Sequence, residues 1–298
     1  MNLGYACINT ALSANKIFTN RTMRRKTFDA NGEDYVSDLA LANVKDLKII
    51  IQWNNEMKIK LFRLSSQIFP WSDEYDVKGL KDYDEIAELM LEIGKIAKDA
   101  GQRLTMHPGP YNCLASPTKK VVEKTIRELN FHSEQFNMMG YDPSPYNKIN
   151  IHVGGAYGDK KGTLDAFCHN FKLLNEDTKK RLVIENDDSP NEYSVNDLYW
   201  GIHKRIGIPI TFDYFHHKFN TGTLTEEEAL RMAATTWPKE ITQCCHYSES
   251  RRKEKLDESI RPQAHSDIIY NKINTYGLNP DIVIEAKLKE QSIFNYAK

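Results

Sequence analysis

Nothing in this chain of 298 residues is long and apolar enough to suggest a membrane segment. A spanning helix needs roughly 18–20 apolar residues, and no run approaches that length. The start, Met1-Asn2-Leu3-Gly4-Tyr5, lacks the basic flank and apolar stretch of a secretory signal, so an intracellular protein is expected. Cysteine is sparse: Cys7, Cys113, Cys168, Cys244 and Cys245 are odd in number and include no C-x-x-C spacing. That argues against a disulfide framework or a zinc finger and fits a reducing compartment. Neither charge sign dominates, and a net charge of −1 gives nucleic-acid binding no support by itself. There is also no linker, low-complexity tract or internal break. One domain over residues 1–298 is expected, a length that barrels reach as single units.

What is present is alternation. Short β-branched or apolar runs at Leu3–Cys7, Leu61–Leu64, Arg103–His107, Ile149–Val153, Leu182–Glu185, Ile210–Asp213, Thr242–His246 and Ile282–Glu285 read as eight strands. Between them, Ile86, Met90, Ile93 and Ala97 keep helical spacing, as do Val122, Ile126 and Leu129. Asp82 with Glu85, and Thr225 with Glu228, have the spacing of capping boxes at helix starts. Repeated strand–helix units imply parallel strands joined by right-handed crossovers, and eight of them imply an α/β barrel, (β/α)8.

Active sites of such barrels form at the C-terminal ends of the strands. Strands three to eight end in His107, His152, Glu185, Asp213, His246 and Glu285, with His216 and His265 in the loops that follow. A lone histidine there is often structural, and a lone carboxylate often caps the next helix. Six consecutive strand ends of this kind converge on one mouth, where unpaired buried charge is costly and requires cations. Five histidines and three carboxylates make eight ligands. With one bridging carboxylate they supply three contacts to each of three ions, leaving open positions for water and substrate. Mixed imidazole and carboxylate donors suit manganese or zinc, and clustered ions suit phosphoryl hydrolysis by an activated hydroxide.

At this point the chain resembles a known family. Leu3-Gly4-Tyr5-Ala6-Cys7-Ile8-Asn9, Arg63-Leu64-Ser65-Ser66, His107-Pro108-Gly109, Asn150-Ile151-His152, Glu185-Asn186-Asp187-Asp188 and Phe212-Asp213-Tyr214-Phe215-His216-His217 resemble the UV damage endonucleases. So do His246-Tyr247-Ser248, Ala264-His265-Ser266-Asp267 and Glu285-Ala286-Lys287. The resemblance implies a TIM barrel with three Mn2+ ions and a nick immediately 5′ to cyclobutane pyrimidine dimers and 6-4 photoproducts, leaving 3′-hydroxyl and 5′-phosphate ends. It assigns His107, His152 and Glu185 to one ion, and Glu185 (the catalytic bridge), Asp213, His246 and Glu285 to a second. His216 and His265 go to a third. Tyr5 and Asn9 match positions that face the lesion, and the turn after His107 matches a loop that probes the DNA.

Two positions depart from the family pattern. The probing turn reads Gly109-Pro110-Tyr111 where a glutamine usually follows the glycine, so Tyr111 is left as its aromatic probe. Cys244 stands where a lysine near the metals is common. Two basic runs, Arg21–Lys26 and Arg251–Lys255, fall in loops that open on the site face, and Arg251, Arg252 and Lys253 are expected to bind phosphates. The expected partner is damaged duplex DNA, met by a monomer without a nucleotide cofactor or membrane contact. An abasic-site endonuclease using the same metals is the nearest alternative. A metal-dependent sugar isomerase and a non-catalytic DNA-binding barrel are more distant.

Overall fold

The computed structural model describes residues 1–296. Its eight strands are β1 (Leu3–Ala6), β2 (Leu61–Leu64), β3 (Arg103–Met106), β4 (Ile149–Ile151), β5 (Leu182–Glu185), β6 (Ile210–Thr211), β7 (Cys244–Tyr247) and β8 (Asp281–Ile284). All neighbours pair in parallel, in the order β6-β5-β4-β3-β2-β1-β8-β7. Between β6 and β7 the ring closes through a single parallel bridge, Asp213 to His246, and the His246 N–H donates to Phe212 O at 2.9 Å. The seam of the TIM barrel therefore lies between two of the expected metal ligands. Several ligands sit just past the regular pairing: His107, His152 and Glu285 one residue beyond their strands, and Asp213 two beyond.

These strands are buried on both faces, which is why they read as continuous apolar runs. Ala6, Leu61, Val183, Cys244 and Val283 pack together with Trp237 inside the barrel. The larger cluster lies between sheet and helices and includes Cys245. Neighbouring Cys244 and Cys245 thus point to opposite faces, as the period of two requires. All five cysteines are free.

The helix Tyr83–Asp99 buries Ile86, Met90, Ile93 and Ala97, the stripe its spacing predicts. The capping box at Thr225 and Glu228 forms, with both reciprocal bonds present. At Asp82 it does not, because the side chain instead accepts from the Ser37 hydroxyl at 2.8 Å. Gly4 is required by close approach, since a Cβ there would lie 2.2 Å from Leu61 O on the neighbouring strand. At the N-terminal floor, Arg103 is buried, with Nη1 3.0 Å from Asp281 Oδ2 and 2.7 Å from Thr242 O. No helix among the described residues is long and apolar enough to cross a membrane.

Candidate metal centre at the barrel mouth

Every second residue of a strand faces the barrel interior, so a polar residue two positions from a ligand meets the same site. Glu185, the last residue of β5, is the hub. Its buried carboxylate lies 3.3 Å from His107 Nε2, 3.8 Å from His152 Nε2, 3.0 Å from His246 Nδ1 and 3.6 Å from His216 Nδ1. Two groups have donor atoms within 4.8 Å of one another: His107, His152 and Glu185, and then Glu185, Asp213 and His246. Both contain Glu185. Glu285 approaches His246 Nδ1 at 3.3 Å but is ion-paired with Arg63. Among the described residues, His216 and His265 belong to no such group of three or more ligands.

The rings are oriented from behind. Nδ1 of His107, His216 and His265 lies 2.9, 2.8 and 2.8 Å from the carbonyls of Pro108, Asn186 and Glu285. A carbonyl only accepts, so each Nδ1 carries a proton and Nε2 is the nitrogen left to face an ion, the usual orientation of a metal-ligating histidine. His152 Nδ1 has the Asp187 carboxylate at 2.8 Å.

A cation fits these residues. His107 stands between two acceptors, Pro108 O and the Glu185 carboxylate. Burial, against the pull of Glu185, lowers its pKa and keeps the ring neutral at pH 7. A neutral imidazole has one N–H and cannot serve both sides. Asp213 Oδ2 is buried without a partner, while its Oδ1 accepts from Phe215 N and His216 N. Burial first, and then Glu185 and Glu285, push that carboxyl up to about 7. Burial opposes charge on His152 and His216, yet Asp187 and Glu185 push the first up to about 10, and Asp213 and Glu185 the second up to about 9. The mouth is electronegative, and its imidazole and carboxylate donors suit a divalent ion of the manganese or zinc type.

Several residues of this site were not singled out from the sequence. Lys148 is buried, with Nζ 3.0 Å from His246 Nε2, 3.1 Å from Asn150 Oδ1 and 2.9 Å from Thr211 Oγ1. Asn150 donates to Glu185, and Asn186 donates to Asp213 O at 3.0 Å. Lys148, Asn150 and His152 form an alternating series that points to one inner face, a signal the sequence did carry. Arg63, facing Glu285 across the single strand β1, appeared only within a family-like stretch, with no local signal of its partner.

The proposed DNA contacts separate into three cases. Tyr111 is 87% exposed, on the turn after His107. Tyr5 and Asn9 are fully buried: Tyr5 donates to Asn54 at 2.7 Å, and Asn9 donates to Tyr5 and caps the short helix Thr10–Ser13. Contact with DNA by either side chain would require opening this triad. In the loop after β7, Arg251 is paired with Asp267 and Arg252 with Glu258, whereas Lys253 has no ion-pair partner among the described residues. Arg21 is likewise held by Asp46, at 2.6 Å. His217 is buried against Phe212 and lies outside the ligand groups. A cleft of about 320 Å³ opens over the site, lined by His107, Pro110, Cys113, His152, Asp187 and His216 among others.

Comparison with known proteins identifies the family. A UV-damage endonuclease of Schizosaccharomyces pombe is 36% identical over 99% of this chain and 50% of its own length. A UV DNA damage endonuclease of Clostridium perfringens is 32% identical over 98% of this chain and 69% of its own. The chain thus spans about half the length of the Schizosaccharomyces pombe relative. The crystal structure of SacUVDE superposes with a TM-score of 0.84 at 30% identity, covering 98% of this chain and 95% of that one. The family model for UV-endonuclease UvdE matches residues 1–298, and this chain belongs to that family.

Proposed function

We propose that this chain is a DNA repair endonuclease that hydrolyses the phosphodiester immediately 5′ to UV photoproducts, leaving 3′-hydroxyl and 5′-phosphate ends. The whole chain, residues 1–298, acts as one barrel domain in this reading. The observation that carries the chemistry is Glu185 shared between two ligand groups, with His107 held between two acceptors beside it.

Divalent ions at this mouth, Mn2+ in this reading, would lower the pKa of a water to about 7 and neutralise charge on the phosphoryl and leaving oxygens. The residues do the positioning. Glu185 would be the ligand common to two ions, with His107 and His152 supplying one and Asp213, His246 and Glu285 the other. His216 and His265, each with Nδ1 held by a backbone carbonyl, would turn Nε2 to a third. Asp187 fixes the His152 ring, Asn150 fixes the Glu185 carboxylate, and Arg63 restrains Glu285. Tyr111 projects from the rim, where it can stack on a base orphaned by lesion displacement. Pro110 stiffens its turn.

The test is incision of duplex oligonucleotides carrying a cyclobutane dimer, a 6-4 photoproduct or an abasic site, with Mn2+ and after chelation. Cleavage 5′ to the photoproducts that is lost on chelation is expected. Cleavage confined to the abasic substrate would replace this reading by that of an abasic-site endonuclease.

A further inference from the structure

The loop between β7 and β8 was expected to act through its positive charge, but its cations are largely consumed internally. Arg251 and Lys255 pair with Asp267 at 3.2 and 2.7 Å, and Arg252 pairs with Glu258 and donates to Ile260 O. Beside exposed polar residues such as Lys253, Asp257, Glu258 and Arg261, the loop presents one fully solvated aliphatic side chain, Leu256. This residue is 92% exposed, the most exposed large hydrophobic among the described residues, ahead of Tyr111 at 87%.

A solitary exposed leucine is ordinary. This one also sits in the left-handed region, φ 52° and ψ 40°, as the C-cap of the helix Arg251–Lys255. Glycine or asparagine is the usual residue there, and a bulky aliphatic side chain adds roughly 1–2 kcal/mol of strain. The backbone cost is partly offset by the cap, where Leu256 N donates to Lys253 O at 3.3 Å and Asp257 N to Arg252 O at 3.1 Å, but nothing among the described residues covers the side chain. Tyr157, at φ 49°, is exposed in the same way but less fully.

The loop is also stiff. Its two arms are joined by the bridge between Ser250 and His265 and by Arg251 N donating to Ala264 O at 2.8 Å. Glu254 accepts from the backbone of Asp267 and Ile268, and Asp257 accepts from Ser259. The tip therefore cannot easily fold Leu256 back onto the surface. In the barrel order β7 lies four strands from β3 whichever way the ring is followed. The loops after these strands stand on opposite sides of the mouth, and they carry the two most exposed large apolar side chains, Leu256 and Tyr111.

Resting on the DNA-endonuclease reading above, we propose that Leu256 is an apolar wedge. It enters the base stack of the bound duplex from the side of the mouth opposite Tyr111, so that lesion opening is driven from two sides. Apolar wedges of this kind part a base step and kink the duplex, and a step weakened by a crosslink costs least to part. Discrimination between damaged and undamaged DNA then depends on Leu256 as well as on Tyr111.

Two variants separate the apolar tip from its backbone. Leu256→Asn suits the left-handed conformation but is polar, whereas Leu256→Met keeps an apolar tip. Affinity is measured for duplexes with and without a cyclobutane dimer, with 2-aminopurine beside the lesion reporting unstacking. Leu256→Asn is expected to lose about tenfold in affinity for the damaged duplex, with a matching drop in the 2-aminopurine signal and a melting temperature at or above that of the parent. Leu256→Met is expected to stay within about twofold. Parental damaged-DNA affinity and unstacking in Leu256→Asn would overturn the wedge while leaving the endonuclease reading intact. A parent protein that neither binds nor cuts damaged duplex would overturn both.

Discussion

The two ends of the barrel solve the problem of buried charge in opposite ways. At the floor, Arg103 meets Asp281 at 3.0 Å, and its other donors reach the carbonyls of Pro145, Tyr146 and Thr242, so the charges balance one to one. At the mouth, Glu285 meets Arg63, Asp187 meets His152, and Glu185 lies among four histidines beside the buried Lys148, whose pKa burial lowers. Asp213 Oδ2 stays unpartnered and His107 stands between two acceptors. The floor pair is closed on itself, whereas the mouth relies on raised imidazoles to offset its carboxylates and keeps two groups of donors that could hold a metal ion. Position along the strand separates them, since Arg103 and Asp281 begin β3 and β8 whereas His107 and Glu285 lie just past the ends of the same two strands.

The comparison can be broken most sharply at Glu185. Glu185→Gln removes the shared charge and should lower incision by about a thousandfold, the several kcal/mol that metal-assisted stabilisation supplies. Its urea midpoint should stay close to that of the parent without metal. Near-normal nicking by a folded, loaded variant would end the bridging assignment.

The floor should respond in the other currency. Arg103→Met leaves Asp281 buried without its partner, and breaking a buried pair costs about 3–5 kcal/mol of stability. Chemical denaturation reads that loss, while metal binding per folded molecule should not change. Weakened metal binding with unchanged stability would mean the two ends are not independent.

A smaller effect is expected one step back from the ions. Asp187→Asn keeps the size of the group that faces His152 Nδ1 but removes its charge, and outer partners of this kind are worth about 10–100-fold in metal affinity or activity. The matching readout is the Mn2+ concentration giving half-maximal incision, which should rise. An unchanged value would make Asp187 a loop residue only.

The smallest effect concerns the rim. Lys253→Ala should flatten the slope of log K against log salt by about 0.9, the share of one phosphate contact. Arg251→Ala should barely alter that slope, because Arg251 is spent on Asp267. Equal flattening by both would restore the view of the loop as a phosphate clamp.

Much of this molecule was legible in its sequence, for a physical reason. Parallel strands buried on both faces leave unbroken apolar runs, and the abrupt polar residue at each run's end marks the mouth. His107, His152, Glu185, Asp213, His246 and Glu285 were found that way. What escaped depends on contacts between distant segments. Asp82 lost its cap to Ser37 on another helix, and the charges of Arg251 and Arg252 vanish into partners in their own loop. Tyr5 precedes an inward-facing residue and so turns outward to Asn54. Lys148 and Asn150 were readable from alternation with His152, once the inner face was known.

The claim that the mouth is a cation receptor organised on Glu185 is tested most directly by counting ions. Metal-free parent, Glu185→Gln and Arg103→Met proteins would be titrated with Mn2+, with free ion followed by electron paramagnetic resonance. At least two tight ions are expected in the parent and in Arg103→Met, and the loss of at least one in Glu185→Gln. A parent that binds no Mn2+, or a Glu185→Gln variant that loads as fully as the parent, would contradict it.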